Sequence, residues 1–276
     1  METKIIKHKT LGDCLIIQNG DFSIGVPLQF GIRISFLSYK NSDNLFYEQP
    51  SSMKKFTTSE GWRLYGGHRL WIAPESNKSY YPDNNPISFV IEDDKIVITQ
   101  EEDEWLKIKK SIELSFEGEN CIKLIHKIQN TDSIERKFSV WPVTTMAGGG
   151  IEYIPLDHRA RGYTPLQHIT WWPSTDLDDD RVKFSKDYIT LTHKPNSKTY
   201  KLGIGHPNGN VKYANKGIVF EKSYEVFKDK VYPDSNVSYE TYMSDEMIEL
   251  ETLSPLYTVE PNQTVQHIEK WILTKE

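Results

Sequence analysis

Residues 108 to 130 read IKKSIELSFEGENCIKLIHKIQN. Ile112, Leu114 and Phe116 recur at every second position in the first half, and Ile122, Leu124, His126 and Ile128 do the same in the second. A period of two is the side-chain spacing of a strand with one face buried, as in antiparallel sheets. Between the two runs stands EGEN, at 117 to 120, a turn signal. The pattern spreads outward from there. In FGIRISFLSY, at 30 to 39, Ile32, Ile34 and Phe36 are expected on one face, with Arg33 and Ser35 on the other. Further turn signals stand at EDDK (92 to 95), QNTDS (129 to 133) and HPNGN (206 to 210). Spacing of this kind belongs to sandwiches and barrels. No stretch keeps a helical period for more than two turns. The expectation is a nearly all-β chain.

All 276 residues read as one domain, 1–276, because no Pro/Gly/Ser linker or change of composition divides them. The 33 basic and 39 acidic residues give a net charge of −6, and the basic ones are spread along the chain. Proteins that bind nucleic acid cluster their basic residues, so no nucleic-acid partner is expected. The start, METKIIKHKTLGDCLII, has no apolar core of signal-peptide length, and no apolar run approaches the ~20 residues of a membrane helix. A cytoplasmic protein without a membrane partner is expected. Two cysteines, Cys14 and Cys121, lack a CxxC or zinc spacing. DLDDDRVKFSKD, at 176 to 187, has Arg181 where a calcium loop needs glycine. GGG at 148 to 150 precedes IEYIP, which does not open a helix, so it is a turn and not a phosphate cradle. No metal and no cofactor are expected.

Two long stretches, 40 to 86 and 147 to 180, look like loops rich in Trp, Tyr, His, Arg and Asp, and long irregular segments in a compact domain tend to be functional. The first holds YGGHRLWIAPE (65 to 75), with Trp62 and Arg63 just before it. Its glycines let the backbone approach a ligand. His68 and Arg69 are then donors to an oxygen-rich ligand; otherwise Trp71 and Ile72 are core and Arg69 merely pairs with Glu75. The second holds LDHRARGY (156 to 163), with Asp157, His158, Arg159 and Arg161. In MIELETLSPL, Glu249 and Glu251 project to one face of a strand together with Met247. Adjacent carboxylates repel unless one is protonated, which suits general-base work; a solvated outer face is the other reading. Trp141, in FSVWPVTTM, is either core or a flat platform for a ligand. YYPDNNP (80 to 86) and VYPDSN (231 to 236) share Tyr-Pro-Asp and read as two similar turns. His8, His193, His206 and His267 stand alone in the sequence.

FGIRISFLSYKNSDNLFY, HKIQNTDSIERKFSVWPVTTM and YETYMSDEMIELETLSPLYTVEPNQTVQHIEKWIL, in this order, resemble the galactose mutarotase-like (aldose 1-epimerase-like) superfamily over nearly the whole chain. GGHRLWIAPE, YYPDNNP and IELETLSP mark a distinct branch. The resemblance implies a large antiparallel β-supersandwich with a carbohydrate cleft. It implies that a glutamate, here Glu251 with Glu249 beside it, removes the anomeric proton, and that Arg69 or Arg63 contacts sugar hydroxyls. The family's histidine, which protonates the ring oxygen, is missing from SVWPVTT, where Trp141 stands at or near its place. Either His68, His158 or Lys222 supplies the acid, or the branch binds sugars without epimerising them. The implied readings are therefore an isomerase of the aldose 1-epimerase kind and a non-catalytic carbohydrate-binding module or sensor. A two-carboxylate glycosidase ranks behind both.

Overall fold

The structure is a computed structural model, described here for residues 1–50, 61–156, 163, 167–205 and 208–276. Among these residues the strands form antiparallel sheets of ten, eight and four strands. The stretch 108 to 130 forms two adjacent inner strands of the ten-stranded sheet, Ile108–Phe116 and Cys121–Asn130, with two further strands between them and one edge. Their register sets Ile112 opposite His126 and Leu114 opposite Leu124, and all four are buried. The alternate positions Glu113 and Lys127 pair on the outer face. No helix among the described residues is long and apolar enough to cross a membrane.

The alternation expected in FGIRISFLSY breaks at Ser35. Arg33–Ile34 joins the eight-stranded sheet, whereas Phe36–Tyr39 joins the four-stranded one. Leaving one sheet for the other shifts the phase, so Leu37 and Tyr39 are buried and Phe36 is half-buried. The reading of 40 to 86 as a loop is also corrected. Gly67–Ala73 is a strand, buried at all seven positions, between Arg33–Ile34 and Arg136–Ala147. Its sequence hides this because one face meets the core and the other a polar, aromatic cleft, so apolar and polar residues do not alternate. Likewise Ile151–Pro155 and Ile169–Trp171 are strands within the second loop-like stretch.

The ten- and eight-stranded sheets enclose a large apolar core. Within it lies a buried polar chain that joins them. Thr144 Oγ1 lies 2.8 Å from His68 Nδ1, His68 Nε2 lies 2.7 Å from His126 Nε2, and His126 Nδ1 lies 3.2 Å from the His267 carbonyl. One assignment of protons satisfies every link, with both rings neutral: Thr144 donates to His68, His68 Nε2–H donates to His126, and His126 Nδ1–H donates to the carbonyl. His267, isolated in the sequence, is 3.0 Å from Thr252 Oγ1, which in turn donates to Glu269. Glu269 also accepts from Trp271 Nε1 at 2.8 Å and pairs with Lys222 Nζ at 2.9 Å. His68, His126 and Glu269 lie close enough to share a cation. However, every ring nitrogen of the two histidines already has a partner, and Glu269 already accepts from three donors.

Candidate functional site

The register of the eight-stranded sheet builds the site in rows. Neighbouring strands place Gly67, Thr145, Glu249, Tyr242 and Lys201 in one row across the sheet. The next row holds Arg69, Val143, Glu251, Glu240 and Gly203, and Trp71 faces Trp141 in a third. Side chains two apart on a strand share a face. Arg69, Trp71, Trp141, Glu249, Glu251 and Glu240 therefore all project away from the core, whereas His68, Leu70 and Ile72 project into it. On the outward face is a cleft of about 470 Å³, lined by most of these residues and by Trp62, Glu75 and Tyr80. A second lobe adds Trp172, Asp234 and Glu240.

Each side chain is held by named partners. Glu251, 1% exposed, accepts from Trp141 Nε1 at 3.0 Å. Glu249 accepts from Thr145 Oγ1 at 2.9 Å and faces Arg69 at 3.6 Å. The Arg69 guanidinium stacks 3.8 Å from the centre of the Trp71 ring and keeps Nε and Nη1 without a hydrogen-bond partner. Lys201 lies over the rings of Trp141 and Trp172, 2.7 Å from Glu240 and 3.6 Å from Glu251. Burial pushes the carboxyls of both Glu240 and Glu251 up against the opposing pull of the Lys201 ammonium, and each raises the other or is raised by a further acid nearby.

The structure brings together Glu249, Glu251, Arg69, Glu75 and Trp141 from the residues expected of the site. Glu75 is not the partner of Arg69; it accepts from the Tyr80 hydroxyl. Trp141 is buried, at 2% exposure, but at the cleft wall, where its indole holds Glu251. Three expectations are corrected. His68 is fully buried on the core face, because strand alternation turns it opposite to Arg69. Lys222 is buried in the other sheet, donating to the Leu250 carbonyl at 2.9 Å and paired with Glu269. Arg63 is exposed and does not line the cleft. His158, with Asp157, Arg159 and Arg161, lies outside the described residues. Lys201, Glu240, Tyr242 and Asp234 were missed. Tyr239–Met243 alternates visibly, with Glu240 and Tyr242 on one face, and a short turn returns it to the Glu249 strand. Of the two Tyr-Pro-Asp turns, the first sends Asp83 to Arg33 and the second sends Asp234 to the cleft. Lys201 carries no comparable signal.

These environments set the pH dependence of stability. Burial lowers His126 to about 4 and His267 to about 3, and lowers His68 well below 6.5. Their contribution is complete above the ordinary 6.5 and is lost as pH falls through the lowered values. Glu152, hydrogen-bonded by Tyr239 and Thr241, is raised by burial to about 7, and Glu240 and Glu251 are raised as well. Their contribution is complete below the ordinary 4.5 and is lost as pH rises through the raised values. From about pH 4.5 to 6.5 the two sets oppose each other. The melting temperature is expected to be highest in that window and to fall on both sides, at up to about 1.4 kcal/mol per pH unit for each group. Calorimetry between pH 3 and 9 measures this; a melting temperature that climbs steadily from pH 5 to 9 would contradict it.

No family model matches the sequence, and no curated protein matches it. Solved structures do. A galactose mutarotase-like protein from Lactobacillus casei superposes with a TM-score of 0.61 at 13% identity, over 95% of this chain and all of the other. A galactose mutarotase-like protein from Clostridium acetobutylicum gives 0.56 at 12% identity, over 100% and 98%. A galactose mutarotase related enzyme from Lactobacillus acidophilus gives 0.54 at 10%, over 95% and 97%. At such identities the likeness is one of fold, and the chain has the galactose mutarotase-like sandwich fold.

Proposed function

We propose that this galactose mutarotase-like sandwich binds a free aldose or aldose derivative in its cleft and interconverts the sugar's anomers. The observation that carries the reading is the Glu249–Glu251 pair on the cleft face, beside a buried arginine with two unpartnered N–H groups. Glu251 takes the proton of the anomeric hydroxyl. The bond between the anomeric carbon and the ring oxygen breaks, the ring oxygen is protonated, and closure on the other face of the aldehyde gives the second anomer. Arg69 offers its free donors to sugar hydroxyls. Trp62, Trp71 and Trp141 offer apolar surface to the C–H face of the ring. Glu251 is suited to the role because burial and Glu249 raise its proton affinity toward neutrality, where a general base works best.

A binding-only module is the second reading. It is favoured by one observation: no histidine among the described residues lines the cleft. Exchange spectroscopy on a panel of free aldoses decides between them, at a pH where spontaneous mutarotation is slow. Accelerated α-to-β exchange for at least one sugar is the expected result. Saturable binding with no acceleration would establish the module instead.

A further inference from the structure

Ring opening needs a proton donor for the ring oxygen. His68 and Lys222 lie on the far side of the sheet from the cleft, and the indole N–H of Trp141 is committed to Glu251. A donor has to stand close to the base, because the anomeric hydroxyl and the ring oxygen are bonded to the same carbon. Glu240 meets that condition. It is the register partner of Glu251 on the next strand and projects to the same face. Cβ atoms so placed are about 4.5 to 5.5 Å apart. Glu240 is 1% exposed and lines the second lobe; no donor group reaches its Oε1, and its carboxyl lies within hydrogen-bonding reach of Asp234, which can share a proton with it.

The two carboxyls share a single ammonium. Lys201 Nζ lies 2.7 Å from Glu240 and 3.6 Å from Glu251. Two carboxylates, each 1% exposed, against one cation leave one negative charge in excess. Asp234 adds to that excess beside Glu240, as do Glu249 and Glu75 beside Glu251, while Arg69 offsets part of it. One proton held by the pair lowers that excess and relieves the repulsion between the two carboxyls. We propose, on the basis of the anomer-interconversion reading, that Glu240 is the proton donor in that reaction and works with Glu251 as an acid–base pair bridged by Lys201.

The protons balance over a full cycle. Glu251 removes the hydroxyl proton as the carbon–oxygen bond of the ring breaks, and Glu240 delivers its proton to the ring oxygen that leaves. The sugar is then an open aldehyde, Glu251 is protonated and Glu240 is a carboxylate. Rotation about the bond to the aldehyde carbon presents its other face. On closure Glu240 takes back the hydroxyl proton as the oxygen attacks, and Glu251 returns its proton to the carbonyl oxygen. The pair is restored without a metal, a cofactor or net proton uptake. In this role the two carboxyls replace the glutamate–histidine combination, which agrees with Trp141 standing where a histidine was expected.

The test uses the full chain with Glu240→Gln, Glu240→Asp and Glu251→Gln. Exchange spectroscopy gives the rate across pH, and calorimetry gives affinity for the same sugar. Glu240→Gln is expected to lower the rate about 100-fold with affinity changed only a few-fold, and to abolish the decline of rate at high pH. Glu240→Asp, which keeps an acid, is expected to restore that decline and part of the rate. Glu251→Gln is expected to remove the rise of rate from acid pH. Infrared spectroscopy with ¹³C-labelled glutamate supplies a readout separate from activity. The unmodified protein should show, beyond the signal of buried Glu152, a protonated glutamic acid at pH 7 that is lost in Glu240→Gln. If the unmodified protein accelerates exchange and Glu240→Gln matches it at every pH, the donor assignment fails and the function stands. If no sugar is exchanged faster, the function fails; a protonated Glu240 in the infrared spectrum would then support only the pairing, and its absence would overturn that as well.

Discussion

Glu251→Gln is expected to reduce catalysed anomer exchange by at least about 10²-fold while sugar binding remains measurable. The amide keeps the side chain's shape but cannot take a proton. Its Oε1 can still accept from Trp141, as Glu251 does at 3.0 Å, so the cleft wall should hold. The neighbouring Glu249 is a poor substitute base, since it is held by Thr145 and faces Arg69. A purely structural role for Glu251 predicts a different pattern, in which rate and affinity fall together with the melting temperature. The separation of rate from affinity is therefore the result to look for. An unchanged exchange rate in this variant would remove Glu251 from the chemistry.

The largest effect on stability is expected from Lys222→Met. Lys222 and Glu269 are both fully buried and 2.9 Å apart. Removal of the ammonium leaves the Glu269 carboxylate charged in the core or forces it to take up a proton. Breaking one side of such a pair costs about 3–5 kcal/mol. The ammonium also donates to the Leu250 carbonyl at 2.9 Å, one residue from Glu251, so the loss should loosen the strand that carries Glu251. Lys222→Met with Glu269→Gln should recover a large part of the loss, because the amide carries no charge, its oxygen can still accept from Trp271 Nε1, and its NH2 can donate to Thr252 Oγ1. Urea titrations of the single and paired variants measure both. A loss below about 1 kcal/mol in the single variant would mean that water reaches the pair.

Much of this molecule was legible in period-two alternation. The strands at 108 to 130 have water on one face and core on the other, so the pattern of apolar residues follows the side-chain direction. The carboxylate pair was visible for the same reason, since Glu249 and Glu251 interrupt a strand whose intervening positions are apolar. Gly67–Ala73 was not legible, because neither of its faces meets open water. There Arg69 and His68 look like equivalent loop donors, yet they are one residue apart and face opposite directions. Lys222 was misassigned for a related reason. Its partner Glu269 is 47 positions away in the sequence, and nothing local marks a lysine as buried. Glu240 and Tyr242 were available to the same reasoning that found Glu249 and Glu251, because Tyr239–Met243 alternates in step with them. Lys201 lies in a short strand beside Gly203, and only the pairing of strands shows that it reaches both acids.

The Gly67–Ala73 strand holds a buried histidine chain on one side and cleft-facing groups on the other, and this limits how the protein can change over evolutionary time. Inserting or deleting a single residue there would exchange the two sides, carrying Arg69 inward and His68 outward. Both the interior and the cleft would be lost at once. Variation in this strand should therefore come through substitutions in place, with length changes confined to the turns. Under the proposed function, new ligand preferences would arise by exchanging side chains at every second position, above an interior that must stay as it is.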